Sequence, residues 1–198
     1  MRKTMQHNPE NLKTNIVFVG VAGVGKTTLG GFAAEKLNMS FVDMDLSLEA
    51  AEKTDIDSLV KRYGDIGLDF QLLSYFKKQI LNKDHTLFAA SARVLKHKGF
   101  WDIAKQNAIT IHLQGKPLEV YMRQDMWLGE RKITPEEKSD KRIKDDFYDY
   151  YKWLIKYCKK ADHTVRIVGK TQTDTETLCK AIEKIMSTDD AKKKNVSD

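Results

Sequence analysis

Gly20, Gly25, Lys26 and Thr27 satisfy the spacing G-x-x-x-x-G-K-[ST], and no other residues of the chain point so directly to chemistry. Glycines at the two ends let the intervening main-chain amides turn inward. Ala22, Gly23 and Val24 then present N–H groups to phosphate oxygens, and Thr28 adds the positive end of the helix that follows. Lys26 supplies a mobile cation for β- and γ-phosphates, and the Thr27 hydroxyl is a magnesium ligand by type and position. The expected cofactors are therefore ATP and Mg2+. A second candidate pair, Asp43 and Asp45, lies in "FVDMD" just after that helix. Carboxylates at the end of a strand beside a phosphate loop can orient a metal and a hydroxyl, whereas the plainer reading is a turn that caps the next helix.

The elements around these residues alternate. "NIVFVG" is a short apolar run rich in β-branched residues and reads as a buried parallel strand. From Lys26, the apolar positions Leu29, Phe32, Ala33 and Leu37 recur at helical spacing, and "FVDMD" reads as a second strand. Residues 46–83 read as helical segments interrupted near Gly64 and Gly67, which is the expected substrate-facing subdomain. "HTLFAASA", "AITIHLQG" and "DHTVRIVG" read as three further strands. Between them, "KGFWDIAKQN" and "PLEVYMRQDMWLGE" read as helices, and residues 129–145 as a charged mobile lid. "FYDYYKWLIKYCKKA" follows as an aromatic helix, in which Phe147, Tyr150, Tyr151 and Leu154 form a core stripe or, alternatively, a sugar-stacking wall. "TDTETLCKAIEKIM" closes the chain as a helix capped by its Asp or Thr residues. The expected organisation is a flexible segment over 1–14, one domain over 15–186 and a flexible tail over 187–198.

Composition narrows the partners. Charged residues make up 31% of the 198 and give a formal charge of +6, but the lysines are spread along the chain without aromatic interleaving, so no nucleic-acid partner is expected. Cys158 and Cys179 match no zinc, redox or haem spacing and read as reduced packing residues. The five histidines show no metal-ligand pairing or carboxylate partner. No stretch reaches the length of a bilayer span, so a cytoplasmic monomer acting on a small molecule is expected. The absence of an N-K-x-D signature argues against a GTPase.

The chain resembles shikimate kinases over residues 15–186. The likeness rests on "GVAGVGKTT", "FVDMD", "IDSLVKRYGDIG", "ITIHL" and the "YCKKAD" element. It implies an α/β fold, a three-layer doubly wound parallel sheet of the P-loop NTPase type, with a small helical substrate subdomain and a lid. It further implies that Asp43 orders magnesium, that Asp45 contacts the acceptor hydroxyl as base, that Arg123 stacks on adenine and that Arg131 brings a lid cation to the γ-phosphate. Arg131 is offset by about one residue, which leaves Lys132 and Arg142 as alternatives for that role.

The departures concern the acceptor. Where the family carries an arginine in G-E-x-x-F-R, "GDIGLDF" places Asp69; where it carries a G-G-G turn, "AASAR" places Ser91, Ala92 and Arg93; and where it carries an arginine before P-L-Y, the chain has Trp153, with Lys152 next to it and Lys156 one turn away. Arg93 is expected to replace a lost cation, and Asp69 either faces the pocket or is exposed on its helix. Three readings stay open. The leading one is an ATP-dependent kinase that phosphorylates a hydroxyl of a small metabolite; the rivals are a nucleotide-binding regulatory protein without acceptor turnover and a nucleoside or nucleotide kinase, for which the middle helices offer no base-reading residues.

Overall fold

The first apolar run is β1 (Asn15–Val19), and all five residues are buried, as a strand covered on both faces must be. The computed structural model describes residues 15–124, 127–128 and 131–194, and for 127–128, 131–132 and 189–194 the backbone alone. The expected segment over 1–14 lies outside them. From the glycine loop the chain enters α1 (Lys26–Lys36) and turns through Asn38 at φ 53 into β2 (Ser40–Asp43). The strand expected through Asp45 stops at Asp43. Its Oδ1 accepts hydrogen bonds from the amides of Asp45 (3.0 Å) and Leu46 (3.2 Å), so Asp43 caps α2 (Met44–Glu52) and Asp45 belongs to the first turn of that helix.

Next comes α3 (Ile56–Leu81), capped by the Asp55 carboxylate on the Ser58 amide at 2.7 Å. Its helical geometry breaks only at Gly64, at φ 68 and ψ 168, and not at Gly67. β3 (Thr86–Ala89) is shorter than the expected run over 85–92, because the Ser91 hydroxyl accepts from the Arg93 amide and starts a 3-10 turn over Ala92–Lys96. α4 (Lys98–Asn107) and β4 (Ala108–Gly115) fall where the sequence places them.

α5 (Pro117–Arg123) ends well short of the helix expected through residue 130. Lys138 accounts for the stop. Its ammonium donates to the carbonyls of Tyr121 (3.3 Å), Met122 (2.9 Å) and Gln124 (2.8 Å), satisfying the orphan acceptors of the last turn. A short antiparallel pair, β5 (Trp127–Leu128) and β6 (Arg131–Lys132), follows. α6 (Lys141–Cys158) begins earlier than expected because Asp140 caps it, accepting from the Arg142 amide at 2.7 Å. β7 (His163–Ile167) precedes α7 (Thr171–Lys194), whose helical backbone continues through much of the segment expected to be a flexible tail.

The five long strands form one parallel sheet in the order β2-β3-β1-β4-β7. Helices cover both faces: α1 packs on α7, and α3 on α4. Phe76 of α3 meets Phe88 of β3 edge-on at 6.1 Å and Phe100 of α4 at 5.0 Å, and all three rings are fully buried, each contributing about 1.5–3 kcal/mol. The Asp162 carboxylate, in the "A-D" element, accepts from the Thr110 amide (2.9 Å) and hydroxyl (2.7 Å), tying β4 to the start of β7. In α6, Phe147, Tyr151 and Leu154 are core, but Tyr150 is 38% exposed and leaves the expected stripe. Cys158 and Cys179 are buried free thiols, and burial pushes Cys158 up to about 11. Among the described residues no helix is long and apolar enough to cross a membrane.

The parallel sheet brings the carboxyl ends of β1, β2 and β3 to one edge. Open α/β sheets bind ligands at that edge, near the point where strand order reverses.

Candidate active site

A cavity of about 490 Å3 opens over this edge. Its lining includes Ala22, Gly23, Val24, Gly25, Lys26, Thr27 and Thr28 of the glycine loop and helix start, with Asp43, Asp45, Ala90 and Ala92 on one side and Arg123, Gly169, Thr171 and Asp174 on the other. Strand order explains the division. β2 and β3 lie to one side of β1, and β4 and β7 to the other.

The loop can be built only with its glycines. Gly25 sits at φ 107, which L side chains rarely adopt. At Gly20 a Cβ would fall 2.9 Å from the Leu113 carbonyl oxygen of β4, so the backbone approaches too closely for any other residue. Lys26 Nζ donates to the carbonyls of Gly20 (2.9 Å) and Val21 (3.1 Å). Burial holds its pKa below the ordinary lysine value against the pull of Asp45 and Asp43.

Thr27 Oγ1 donates to Asp43 Oδ2 at 2.6 Å, while Asp43 Oδ1 caps α2. Asp43 therefore caps α2 with one oxygen, as the plainer reading expects, and turns the other to Thr27. This donor set suits magnesium: a hydroxyl and a carboxylate oxygen side by side fit a hard cation that keeps most of its waters. Among the described residues, no cluster of three or more His, Cys, Asp or Glu offers a richer metal site.

Asp45 lines the same cavity. Its Oδ1 is buried and has no hydrogen-bond partner among the described residues. Desolvation raises its pKa and the Ser91 hydroxyl partly offsets the rise, with Asp43 adding to it and Lys26 opposing it. A carboxylate oxygen left without a partner at the cavity wall is a ready acceptor for a substrate hydroxyl.

On the far side, Arg123 Nε donates to its own helix at the Glu119 carbonyl (3.1 Å), and its guanidinium lies beside Gly169. Asp174 fixes that loop: its two oxygens accept from the amides of Val168 and Gly169, both at 2.8 Å. The "TQTD" helix start carried the signal for this residue, but the sequence reading assigned it only a capping task. His112, also missed, lies in β4 with a buried, unpartnered Nε2. Burial lowers its pKa to about 4, with the nearby Lys26 charge contributing.

The remaining candidates do not converge on this cavity. Asp69 is neither exposed nor facing it: it is 1% exposed and bound by Lys96 Nζ (2.6 Å), Arg93 Nε (3.0 Å) and His97 Nε2 (3.3 Å). His97 is thus tied to a carboxylate, although among the described residues no metal-binding cluster forms there. Burial alone would raise the Asp69 pKa, but hydrogen bonds from Lys96 and His97 and the Arg93 charge outweigh it and hold the carboxyl below its ordinary value. Arg93 also donates to Asp65 Oδ1 at 2.6 Å. Trp153 is 39% exposed and packs on Tyr150 (6.0 Å) and Tyr157 (5.2 Å). The side chains of Arg131 and Lys132 lie outside the described residues.

Comparison with known proteins agrees with this architecture. The family model described as Shikimate kinase matches residues 22–186. The shikimate kinase of Clostridium beijerinckii is 27% identical over 143 residues, 71% of this chain and 82% of the relative. In fold, the chain matches shikimate kinase from Bacteroides thetaiotaomicron (TM-score 0.73, 16% identity, 85% of this chain and 98% of the other). It also matches shikimate kinase from Acinetobacter baumannii in complex with shikimate (TM-score 0.67, 19% identity, 88% and 93%).

Proposed function

This chain belongs to the shikimate kinase family, and from that premise we propose that it transfers the γ-phosphoryl group of ATP to a hydroxyl of a small metabolite, with Asp45 as the group that receives the hydroxyl. Family and fold support a small-molecule kinase, and no comparison supports the regulatory alternative without turnover. The observation that carries the reading is the unpartnered Asp45 Oδ1 in the cavity that the phosphate loop lines.

Bound MgATP would supply the transferable phosphoryl group and the metal charge that offsets its oxygens. The chain's own residues do the rest. Main-chain amides of Gly23 to Thr28 hold the phosphates, with Lys26 as the loop's cation. Thr27 and Asp43 hold the metal. Asp45 orients the acceptor oxygen and takes its proton as that oxygen bonds to phosphorus and the bond to ADP breaks. Arg123 and the Gly169 loop fixed by Asp174 receive the adenine; the cation that the family resemblance assigns to the γ-phosphate, Arg131 of the expected lid over 129–145, lies outside the described side chains. The helices over 46–83 serve as the acceptor subdomain.

A coupled assay for ADP release, run with MgATP across hydroxy acids, sugars and amino alcohols, tests this. Acceptor-dependent release is expected. Nucleotide binding by calorimetry without release on any acceptor overturns the reading.

A further inference from the structure

Two cations flank the acceptor side of the cavity, and the protein's own carboxylates already hold both. Ala92 lines the cavity beside Asp45, and the next residue, Arg93, turns away to Asp69 (3.0 Å) and Asp65 (2.6 Å). Lys96, one turn on, meets Asp69 at 2.6 Å. Two positive charges are thus matched by two negative ones. Both cations in the cavity lining lie elsewhere: Lys26 in the phosphate loop, and Arg123 on the far side. Neither stands on the acceptor side of the lining, where Asp43 and Asp45 add negative charge. A carboxylated acceptor would have to break the Arg93 pairs or sit unpaired beside Asp45, and leaving a charge unpaired in a desolvated site is the costlier of its options.

The α6 surface beside this network is aromatic. α6 packs against the 3-10 turn that carries Arg93, and Tyr150 lies close enough to feel the Arg93 charge. Tyr150 and Trp153 pack at 6.0 Å, and both stay more than a third exposed. Exposed paired rings offer a flat apolar surface with polar tips, which suits the C–H face of a hydroxylated ring or chain.

Resting on the kinase reading above, we propose that the phosphoryl acceptor is an uncharged polyol or sugar, and that the Asp65–Arg93–Asp69–Lys96 network excludes carboxylated acceptors by occupying the cations that would bind them. The ion pairs specify by subtraction. Asp45 then meets a hydroxyl with no competing anion nearby.

The test uses the full chain with MgATP, ADP release as readout, and acceptors matched in skeleton: glucitol against gluconate, and inositol against shikimate and quinate. An uncharged member is expected to show a kcat/KM about 100-fold or more above its carboxylated counterpart. Asp65→Asn, at a side chain 76% exposed where folding is not at stake, should remove one of the two anionic charges that hold Arg93 and improve the kcat/KM of a carboxylated acceptor by about 10-fold. Asp69→Asn, checked for folding by circular dichroism, should do so more strongly. Wild-type preference for the carboxylated members overturns the inference and leaves the kinase reading standing. So does an Asp65→Asn and Asp69→Asn pair, both folded, with unchanged carboxylate turnover. ADP release with neither set overturns the kinase reading, and this inference with it.

Discussion

Thr27 Oγ1 donates a 2.6 Å hydrogen bond to Asp43 Oδ2, joining the end of the glycine loop to the end of β2. Neither residue can reach the other unless β1 and β2 run parallel with β3 between them. Replacing Thr27 with Val keeps the shape and removes the oxygen. Magnesium-dependent nucleotide affinity should then fall by about 10- to 100-fold, read by calorimetry with and without the metal. Asp43→Asn should lower it similarly while preserving much of the cap on α2. Metal dependence left intact in both variants would remove this pair from the site.

Lys26→Ala deletes the cation that now bonds the Gly20 and Val21 carbonyls. The expected loss in kcat/KM is about 10²- to 10³-fold, the scale of removing one charge-stabilising donor. The loop itself should survive, because its turn depends on glycine conformations and not on the lysine. Unchanged steady-state kinetics would contradict the assignment.

Asp45→Asn preserves volume and removes the base. A fall in kcat of about 10²- to 10⁴-fold is expected, with ATP affinity little altered. Burial holds the Asp45 pKa above the ordinary carboxylate value. The acidic limb of the wild-type kcat profile should therefore lie above the pH at which an exposed aspartate titrates, with activity lost as pH falls through it. A flat profile on that side argues for another base.

His112 titrates at about 4 in the fold against 6.5 for a free histidine. Between those values the unfolded chain binds a proton that the folded chain does not, so stability declines as pH drops from about 6.5 to about 4 and levels off below. The linkage amounts to about 3 kcal/mol. Denaturant midpoints at several pH values should show the decline, and His112→Asn should lack it.

Asp174→Ala frees the amides of Val168 and Gly169 in a loop that borders the cavity. A stability loss of about 1–3 kcal/mol is expected, together with a higher KM for ATP and a smaller change in kcat. A variant destabilised to that extent but with wild-type KM would show that the loop does not hold the nucleotide.

Much of this protein is legible along the chain because its signals are local. β1, β3 and β4 are apolar runs, the glycine loop is a fixed spacing, and "DMD" sits at the end of a strand; each depends on neighbours a few residues apart. Helix ends were read less well where their caps come from a distance. α5 stops at Arg123 because Lys138 binds its last carbonyls, and nothing near residue 123 announces that.

The acceptor side was beyond the sequence for the same reason. Asp69, Arg93, Lys96 and His97 are ordinary charged residues in their own segments, and only the packing of α3 against the 3-10 turn makes one ion-paired unit of them. By itself the sequence determined the phosphate loop and the α/β order, since backbone conformation and hydrophobic periodicity are short-range properties. Tertiary structure alone decided which charges are already spent on one another, because Coulomb partners are set by distance in space and not by distance along the chain.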